Sequence, residues 1–421
     1  MLKKQGVDYN ELIPLWKRPI NKWTFDTHIV NLCMMLKSEA ISYDVLGVEY
    51  TDLAECWREI LEQYNGTPVG LFTGDECLSG NSPIQGTEFC AVVEQMYSYE
   101  ILYAYTGDVK WLERLEVLAF NALPATISDD MWAHQYVQMS NQIACQRFPG
   151  RSLFRTNNHE AHLFGLEPNY GCCTANFSQG WPKFALAAFM HCEETIISAI
   201  PVPAELRTDN IHIKLTSEYP FKNELVYQIE SLKDFKFAVR VPDFAIDVKV
   251  NGEKVKRADM LNFDIKGNEK VLIHVSFDVK PIMIDRPNNL KTVKYGSLIF
   301  SVPIEYERKM YEYEKDGVER KYPYCDYEYI GTSDWNYGYG DEAIRIEERK
   351  VSDIPFSSTE PPVVAKVKMA QIDWGLEDGF ESVCAKVPQS LTPISDLKEI
   401  ELYPYGCAKL RMTEIPRVEL S

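Results

Sequence analysis

Four side chains in two separate segments have the types and the spacing to bind a metal ion. Glu88 and Cys90 stand two residues apart, and Cys172 and Cys173 are adjacent in a loop-like stretch before a helix-like run. One carboxylate and three thiolates are enough to close a tetrahedral zinc site. Because a thiolate on zinc is deprotonated at neutral pH, such a site also holds a nucleophile ready. A further carboxylate, Glu76, lies nearby in the chain and could supply a proton, so these residues outline an enzyme.

The composition of the 421-residue chain is that of a globular protein with more than one domain. Hydrophobic residues make up 45% and charged residues 25%, which is ordinary for such proteins. The net charge of −18 argues against a long basic surface for nucleic acid or anionic lipid. We therefore expect neither nucleic acid nor a membrane as a partner, whereas neutral small molecules and neutral glycans are compatible.

The 11 cysteines indicate a reducing compartment. Their number is odd, their spacing is irregular, and a chain of this size does not need disulfide bonds for stability. No apolar run approaches the roughly 18 residues of a membrane-spanning helix. The N-terminus lacks the apolar core of a signal peptide. These features predict a cytoplasmic protein.

The pattern of hydrophobic residues divides the chain into a helical part and a β part. Residues 125–176 show little periodicity, and long loops in compact domains are usually functional. From about residue 196 the alternation of apolar and polar residues predicts short strands, as in β-sandwiches. The predicted helices cover residues 25–46, 52–64, 86–105, 109–123 and 177–191, and the predicted strands begin near residues 211, 237, 247, 271, 298, 363 and 399.

Three motifs stand out, at residues 70–80 with Asp-Glu-Cys, 85–90 with Glu-x-Cys, and 165–176 with the adjacent cysteines. Together they resemble glycoside hydrolase family 127, whose best-known activity is β-L-arabinofuranosidase. Supporting likeness at residues 335–337 and 402–411 extends the resemblance over nearly the whole chain. The combination of Glu-x-Cys with a vicinal cysteine pair is its most specific feature.

The resemblance implies an α-helical (α/α)6-type barrel followed by antiparallel β-sandwich domains. On this basis we expect residues 1–195 to be the C-terminal portion of the barrel domain. Residues 196–288 would form one β-sandwich domain, and residues 289–421 a second. Family members carry a long N-terminal part that builds the first half of the barrel, so the barrel is expected to be partial here. The β domains of the family also suggest a homodimer.

The resemblance also implies the roles of the site residues. Cys172 would be the nucleophile and Glu76 the general acid/base, with Asp75 as the alternative because the spacing from Glu76 to Glu88 is shorter than expected. The reaction would retain the anomeric configuration through a thioglycosyl intermediate. The Zn²⁺ ligands would be Glu88, Cys90, Cys172 and Cys173.

Several polar residues are further candidates for contact with the sugar. His28 lies on a predicted helix, where a core histidine is an equally compatible interpretation. His134 and Tyr136 lie in the long loop and could line the sugar subsite. The weaker candidates are Asn141, Gln142 and Trp181, whereas the spacing of His159 and His162 suggests a metal pair that we interpret as ordinary loop residues.

Three functions are compatible with these residues. The first is a retaining, zinc-dependent glycoside hydrolase that acts on a small glycan, with an L-arabinofuranoside as the expected substrate. The second is a structural zinc protein with the same four ligands. The third is a catalytically incomplete carbohydrate-binding remnant, because half of the barrel is expected to be missing. Structural zinc sites usually contain Cys-x-x-Cys pairs, and their absence here favours the catalytic interpretation.

Overall fold

The computed structural model describes residues 9–20, 22–148, 152–166 and 171–419, so residues 167–170 of the third motif lie outside the described residues. Within these ranges no helix is both long and apolar enough to cross a bilayer. The helices lie in the first half of the chain: α1 (Tyr9–Lys17), α2 (Ile29–Met35), α3 (Ser38–Leu46), α4 (Leu53–Asn65), α5 (Phe89–Thr106), α6 (Lys110–Val117), α7 (Leu123–Ala125), α8 (Cys172–Phe177) and α9 (Gly180–Leu186). Short 3₁₀ turns occur at Phe25–Thr27, Pro287–Asn289 and Tyr405–Cys407.

Helix α5 is the central helix of this part of the chain. Most of its side chains are buried, and α2, α6, α8 and α9 pack against it. Burial on nearly all sides is expected of a helix that is surrounded by protein. The helix begins directly after Glu88 and ends at Gly107, whose φ of 67° is a conformation that glycine adopts without strain. Its N-terminus therefore places Glu88 and Cys90 at one fixed point of the core.

The predicted helix 109–123 is interrupted by a π turn at Leu118–Ala122. Asn121 in this turn donates hydrogen bonds to the backbone oxygens of Val117 and Ser297, at 2.7 and 2.8 Å. A side chain that competes for backbone oxygens in this way is a common cause of a local departure from the α-helix. The turn thereby ties the helical part to the β part.

The predicted helix 177–191 is wrong at its C-terminal end. Helix α9 ends at Leu186, and Phe189–Cys192 is a strand that pairs with Thr195–Ser198. The apolar spacing of this segment fits either structure, and the neighbouring strand decides between them. Sheet structure therefore begins before residue 196.

Residues 189–278 form two sheets that face each other, and the strand predictions near residues 211, 237, 247 and 271 are confirmed. The ring of Tyr227 in one sheet lies 5.2 Å from that of Phe237 in the other, and its hydroxyl lies 2.9 Å from Ser198 Oγ. Such interdigitation fills the space between the sheets of a sandwich. The first sheet contains Glu253–Lys254, Ile246–Val250, Lys270–Asp278, Glu224–Ser231, Ile211–Ser217 and Ala204–Arg207, and the second Met260–Ile265, Phe235–Arg240, Thr195–Ser198 and Phe189–Cys192.

The remaining strands form two larger sheets and two small ones, and the strand predictions near residues 298, 363 and 399 are confirmed. The largest contains Ile282–Arg286, Leu290–Tyr295, Leu298–Pro303, Lys398–Pro404, Val363–Gln371 and Tyr337–Tyr339, with Arg345–Glu348, Arg411–Met412, Ile415–Pro416 and Asn141–Gln142 attached. The next contains His134–Gln135, Phe164–Gly165, Asp326–Gly331, Tyr306–Tyr311 and Ala144–Cys145. The small ones pair Gly86–Glu88 with Val137–Met139 and Tyr313–Lys315 with Val318–Arg320. Short strands from the long loop 125–176 therefore pair with the C-terminal part of the chain.

A buried ion pair joins the helical part to the two facing sheets of residues 189–278. Arg240 and Glu116 are both fully buried, and the Arg240 guanidinium contacts the carboxylates of Glu116 and Glu113. Glu116 also accepts hydrogen bonds from Tyr219 and, at 2.8 Å, from Ser297 Oγ. Because loss of one partner would leave a buried charge uncompensated, replacement of Arg240 or Glu116 alone is expected to destabilise this junction.

Candidate active site and metal centre

The four predicted metal ligands meet in one cluster. The ligand atoms of Glu88, Cys90, Cys172 and Cys173 all lie within 4.8 Å of one another. Cys90 Sγ and Cys173 Sγ are 3.3 Å apart, and Cys172 Sγ lies 3.9 Å from Glu88 Oε1. The sulfur–sulfur distance is far longer than the roughly 2 Å of a disulfide bond, so the thiols are free to act as ligands.

A strand pair brings the first two ligands to the cluster. Gly86–Glu88 pairs with Val137–Met139, and α5 starts at the end of the first strand. A Cβ atom at Gly86 would lie 1.8 Å from Val137 Cγ1, so only glycine allows this close approach. Phe89 N–H then donates to the Tyr136 carbonyl at 2.7 Å, which fixes the direction in which the helix leaves the strand.

The electrostatics of the cluster favour a bound cation. Burial raises the pKa of the Glu88 carboxyl well above its ordinary value, and the neighbouring charges of Glu76 and Cys172 raise it further. Burial likewise raises the pKa of Cys173, whereas hydrogen bonds from Cys173 and Cys90 lower that of Cys172. Glu88 Oε2 is buried without a hydrogen-bond partner among the described atoms. A divalent cation bound to the sulfurs and the carboxylate would satisfy this oxygen and compensate the charges, so these residues could hold a metal ion.

Glu76 lies beside this cluster with both carboxylate oxygens in defined contacts. Oε1 accepts hydrogen bonds from Tyr136 Oη at 2.6 Å and from Asn157 Nδ2 at 3.2 Å. Oε2 lies 3.2 Å from His28 Nε2 and 3.4 Å from Trp23 Nε1, which donates to it. The residue is 7% exposed. A nearly buried carboxylate held from several sides is fixed in direction, which general acid/base chemistry requires.

Asp75 faces the opposite side of the same extended segment. Its carboxylate accepts hydrogen bonds from Ser79 Oγ at 3.0 Å and from Thr156 N–H at 2.6 Å, and it is fully buried. Burial raises its pKa, although the Thr156 and Ser79 hydrogen bonds act against that rise. Because these bonds occupy the carboxylate inside the protein, the geometry favours Glu76 over Asp75 for chemistry beside the thiol cluster.

Tyr136 connects Glu76 to the thiol cluster. Its hydroxyl lies 2.6 Å from Glu76 Oε1 and 3.7 Å from Cys172 Sγ. Burial raises the pKa of Tyr136, and the charges of Glu88 and Cys173 raise it further, so the hydroxyl keeps its proton. The predicted sugar-binding residues Tyr136 and His28 therefore both lie beside Glu76; their contact with a sugar stays a prediction.

His134 lies beneath the site. It is 3% exposed, and its ring lies between those of Phe89 and Phe177, with centroids 5.7 and 6.0 Å away. His134 Nε2 is 2.9 Å from Thr174 Oγ1 in the first turn of α8. This contact places His134 as a support for the helix that begins with Cys172. Its role as a sugar ligand stays a prediction.

The C-terminal part of the chain holds the loop on which Tyr136 lies. Asn141 Nδ2 donates to the Glu414 carbonyl at 2.8 Å, and Gln142 Nε2 donates to the Lys409 carbonyl at 2.9 Å. Arg411, which is fully buried, donates to the Met139 carbonyl at 3.1 Å. Asn141 and Gln142 thus have buried structural partners. Trp181, the other weak candidate, stacks on Phe356 with a centroid distance of 6.4 Å.

His162 is a buried loop residue, and among the described residues no cluster of potential metal ligands includes it or His159. Its Nε2 lies 2.7 Å from the Gln146 carbonyl, and the rings of Phe148 and Phe154 lie 4.6 and 5.4 Å away. Burial lowers the pKa of His162 to about 4. At neutral pH the imidazole is therefore neutral in the folded protein.

This burial predicts a loss of stability in acid. The unfolded chain binds a proton at this histidine near pH 6.5, whereas the folded chain does so only near pH 4. The free energy of unfolding should therefore fall as the pH drops through this window, by about 2 kcal/mol between pH 7 and pH 5. Urea unfolding of wild type and His162→Gln at both pH values measures this. His162→Gln should show a flatter pH dependence, and the exposed-site control His191→Gln should keep the wild-type slope; equal slopes for all three proteins would contradict the assignment.

Two residues of the site carry no signal in the sequence. Trp23 reaches Glu76 from a position 53 residues earlier, and Asn157 reaches it from 81 residues later. Neither residue belongs to a motif or to a periodic segment. Only the folded chain brings these two donors to the carboxylate.

Three solved structures share this fold. The first, a GH127 β-L-arabinofuranosidase from Geobacillus stearothermophilus T6, aligns with a TM-score of 0.60 and 13% identity over 92% of this chain and 59% of the other. The second, described as a glycoside hydrolase, has a TM-score of 0.59 and 14% identity over 93% of this chain and 66% of the other. The third, a GH127 β-arabinofuranosidase, has a TM-score of 0.58 and 13% identity over 99% of this chain and 67% of the other.

These comparisons confirm the predicted resemblance to family 127 at the level of the fold. The chain spans about three fifths to two thirds of the length of the structures that it matches. No protein-family model and no curated protein matches the sequence. The likeness therefore concerns how the chain is folded, and the chemistry is inferred from the site.

Proposed function

We propose that this chain carries the zinc-dependent catalytic centre of a retaining glycoside hydrolase that acts on β-L-arabinofuranosides or closely related small glycans. In this proposal the mainly helical first part of the chain contributes part of an (α/α)6 barrel, and two β-sandwich domains follow it. The shared fold and the composition of the site support this assignment.

The exposure of a single thiol carries the proposal. Cys90 and Cys173 are 2% and 0% exposed, whereas Cys172, in the same cluster, is exposed. A closed structural site has no need to leave one ligand open to solvent. An exposed thiol with a lowered pKa, next to a held carboxylate, is the arrangement that nucleophilic catalysis needs.

The donor set fits zinc better than other common metals. Thiolate sulfur selects against magnesium and calcium, and three thiolates with one carboxylate suit a tetrahedral zinc ion. The residues that would hold it are Glu88, Cys90, Cys172 and Cys173. When bound, the ion would keep the sulfurs deprotonated at neutral pH.

In the first step Cys172 would attack the anomeric carbon of the substrate. The S–C bond forms while the C–O bond to the leaving group breaks, and Glu76 gives its proton to the departing oxygen. Tyr136 donates a hydrogen bond to Glu76 and lies next to Cys172, so it would keep these two side chains in a fixed relative position. Most retaining glycosidases use a second carboxylate as nucleophile. Here a thiolate would take that place.

In the second step Glu76, now ionised, would remove a proton from water. The water oxygen bonds to the anomeric carbon as the S–C bond breaks, and Cys172 returns to the thiolate. Two successive inversions at the same carbon retain its configuration. Hydrogen bonds from Tyr136 and Asn157 would stabilise the carboxylate between the two steps.

One experiment separates this function from the two alternatives. The purified full-length chain would be assayed for zinc by elemental mass spectrometry and for hydrolysis of p-nitrophenyl β-L-arabinofuranoside, with the first-formed anomer followed by NMR. The proposal expects about one zinc per chain, release of nitrophenol, and a β product first. Zinc without hydrolysis would favour the structural site or the carbohydrate-binding remnant, and absence of zinc would reject the metal assignment.

A further inference from the structure

Two exposed aromatic side chains form a pair, and one of them contacts Glu76. Trp23 is 44% exposed and Phe25 is 70% exposed, and their rings contact each other with centroids 4.7 Å apart and an angle of 74° between the planes. Trp23 also meets the ring of His28 at 5.8 Å and donates its Nε1–H to Glu76 Oε2. Large exposed aromatic rings next to polar side chains commonly mark a place where a ligand binds.

The backbone under these two rings is held firmly although the rings are exposed. Thr24 N–H lies 3.4 Å from Cys77 Sγ, and the Cys77 thiol lies 3.4 Å from the Thr24 carbonyl. Leu78 N–H donates to the Thr27 carbonyl at 2.9 Å, and Trp16 Nε1–H donates to the Asp26 carbonyl at 3.2 Å. A fixed backbone with stiff aromatic side chains loses little conformational entropy when a ligand stacks on it.

Glu76 links Trp23 to the proposed reaction centre. Oε1 faces Tyr136, whose hydroxyl lies beside the nucleophile Cys172, whereas Oε2 faces Trp23. In a displacement the leaving group departs on the side of the anomeric carbon away from the nucleophile. Because the general acid gives its proton to the leaving-group oxygen, a ring in contact with Glu76 would lie near the leaving group.

We propose that Trp23 and Phe25 form a stacking surface for the sugar ring of the leaving group. This inference rests on the proposed function, because it takes Glu76 as the acid and Cys172 as the nucleophile. The occupant is the apolar face of a neutral pyranose or furanose ring, whose C–H groups can lie against an aromatic face. The site would accordingly favour glycosides with a sugar as leaving group over those with a small one.

The test compares two substrates that differ only in the leaving group. Wild type and Phe25→Ala would be assayed with a β-L-arabinofuranosyl disaccharide and with β-L-arabinofuranosyl fluoride, which has no ring to stack. Loss of about 50 Å² of apolar contact should lower the ratio of kcat/KM for the disaccharide to that for the fluoride about tenfold. Phe25→Trp should restore the ratio. Tyr322→Ala is the control, because Tyr322 is also an exposed aromatic residue but lies far along the chain from the residues of the site. This variant should keep the wild-type ratio.

A binding measurement supplies a second readout that does not depend on turnover. Calorimetry would compare binding of the disaccharide to Glu76→Gln and to the double variant Glu76→Gln/Phe25→Ala. The dissociation constant of the double variant should be about tenfold higher. An unchanged ratio and an unchanged dissociation constant would overturn the stacking surface. Equal losses on both substrates with a lower melting temperature would also overturn it, because Phe25 would then be structural. If the wild-type protein hydrolyses neither substrate, the proposed function is wrong, and the stacking surface, which rests on it, falls with it.

Discussion

Replacement of Cys172 by alanine is expected to lower kcat by roughly 10⁴-fold or more, because it removes the atom that, in the proposed mechanism, would bond to the sugar. Zinc binding should weaken but persist, since Glu88, Cys90 and Cys173 remain. Steady-state kinetics with p-nitrophenyl β-L-arabinofuranoside and the zinc content of the same preparation measure both effects. A large loss of activity with retained metal and an unchanged melting temperature separates a chemical role from a structural one.

Matched controls for this replacement are present in the chain. Cys56 and Cys192 are also exposed thiols, but they lie outside the cluster. Cys192→Ser should keep wild-type activity. When the wild-type protein is alkylated with iodoacetamide, the fraction of activity lost should equal the fraction of Cys172 that is modified. Full activity of Cys172→Ala would reject the thiolate mechanism outright. Equal inactivation by Cys192→Ser would point to a general effect of thiol loss.

Replacement of Glu76 by glutamine should lower kcat about 10²- to 10⁴-fold, as expected for loss of a general acid/base. The effect should depend on the leaving group. A substrate that needs no proton, such as the glycosyl fluoride, should still react in the first step, and the glycosyl group should then accumulate on Cys172. Intact-protein mass spectrometry would detect this adduct. Azide should restore turnover, because it attacks the adduct without the help of a base.

Asp75→Asn is the control that the structure provides for Glu76→Gln. Both replacements remove one carboxylate from adjacent residues, but Asp75 bonds to Ser79 and Thr156 inside the protein. Asp75→Asn should therefore lower the melting temperature and show neither an adduct nor rescue by azide. If instead Asp75→Asn shows the adduct and the rescue, Asp75 is the acid/base and the assignment of Glu76 is wrong.

The regular elements were predictable where local pattern and tertiary packing agree. Strands such as Ile211–Ser217 alternate buried and less buried residues. The alternation of apolar and polar residues in the sequence therefore predicts them directly. The segment Phe189–Cys192 was not predictable in this way. It is a strand because it pairs with Thr195–Ser198, and its own residue pattern does not indicate one. The short strands of the loop 125–176 were also missed, since each is only two or three residues long and depends on pairing with distant residues.

The site residues that belong to a sequence motif were predictable. Those that only the folded chain brings to the site were not. Motif residues Glu88, Cys90, Cys172 and Cys173 were expected together, and the chain brings them together. The sequence favoured Glu76 only through the resemblance and left Asp75 as an alternative, because adjacent carboxylates differ only in which face of the chain they occupy. Nothing local in the sequence marks the contact of Trp23 with Glu76.

The pairing of the long loop with the C-terminal residues has a consequence for how the protein is made. Ala144–Cys145 needs Asp326–Gly331 as its partner, and Asn141–Gln142 needs Arg411–Met412. Ribosomes release the chain from its N-terminus at roughly 5–20 residues per second, so these partners emerge after the four candidate metal ligands. The thiols and the carboxylates leave the ribosome long before the strands that hold Tyr136 in place. A nascent chain therefore carries all four candidate metal ligands before the strands that position the Tyr136 loop are available.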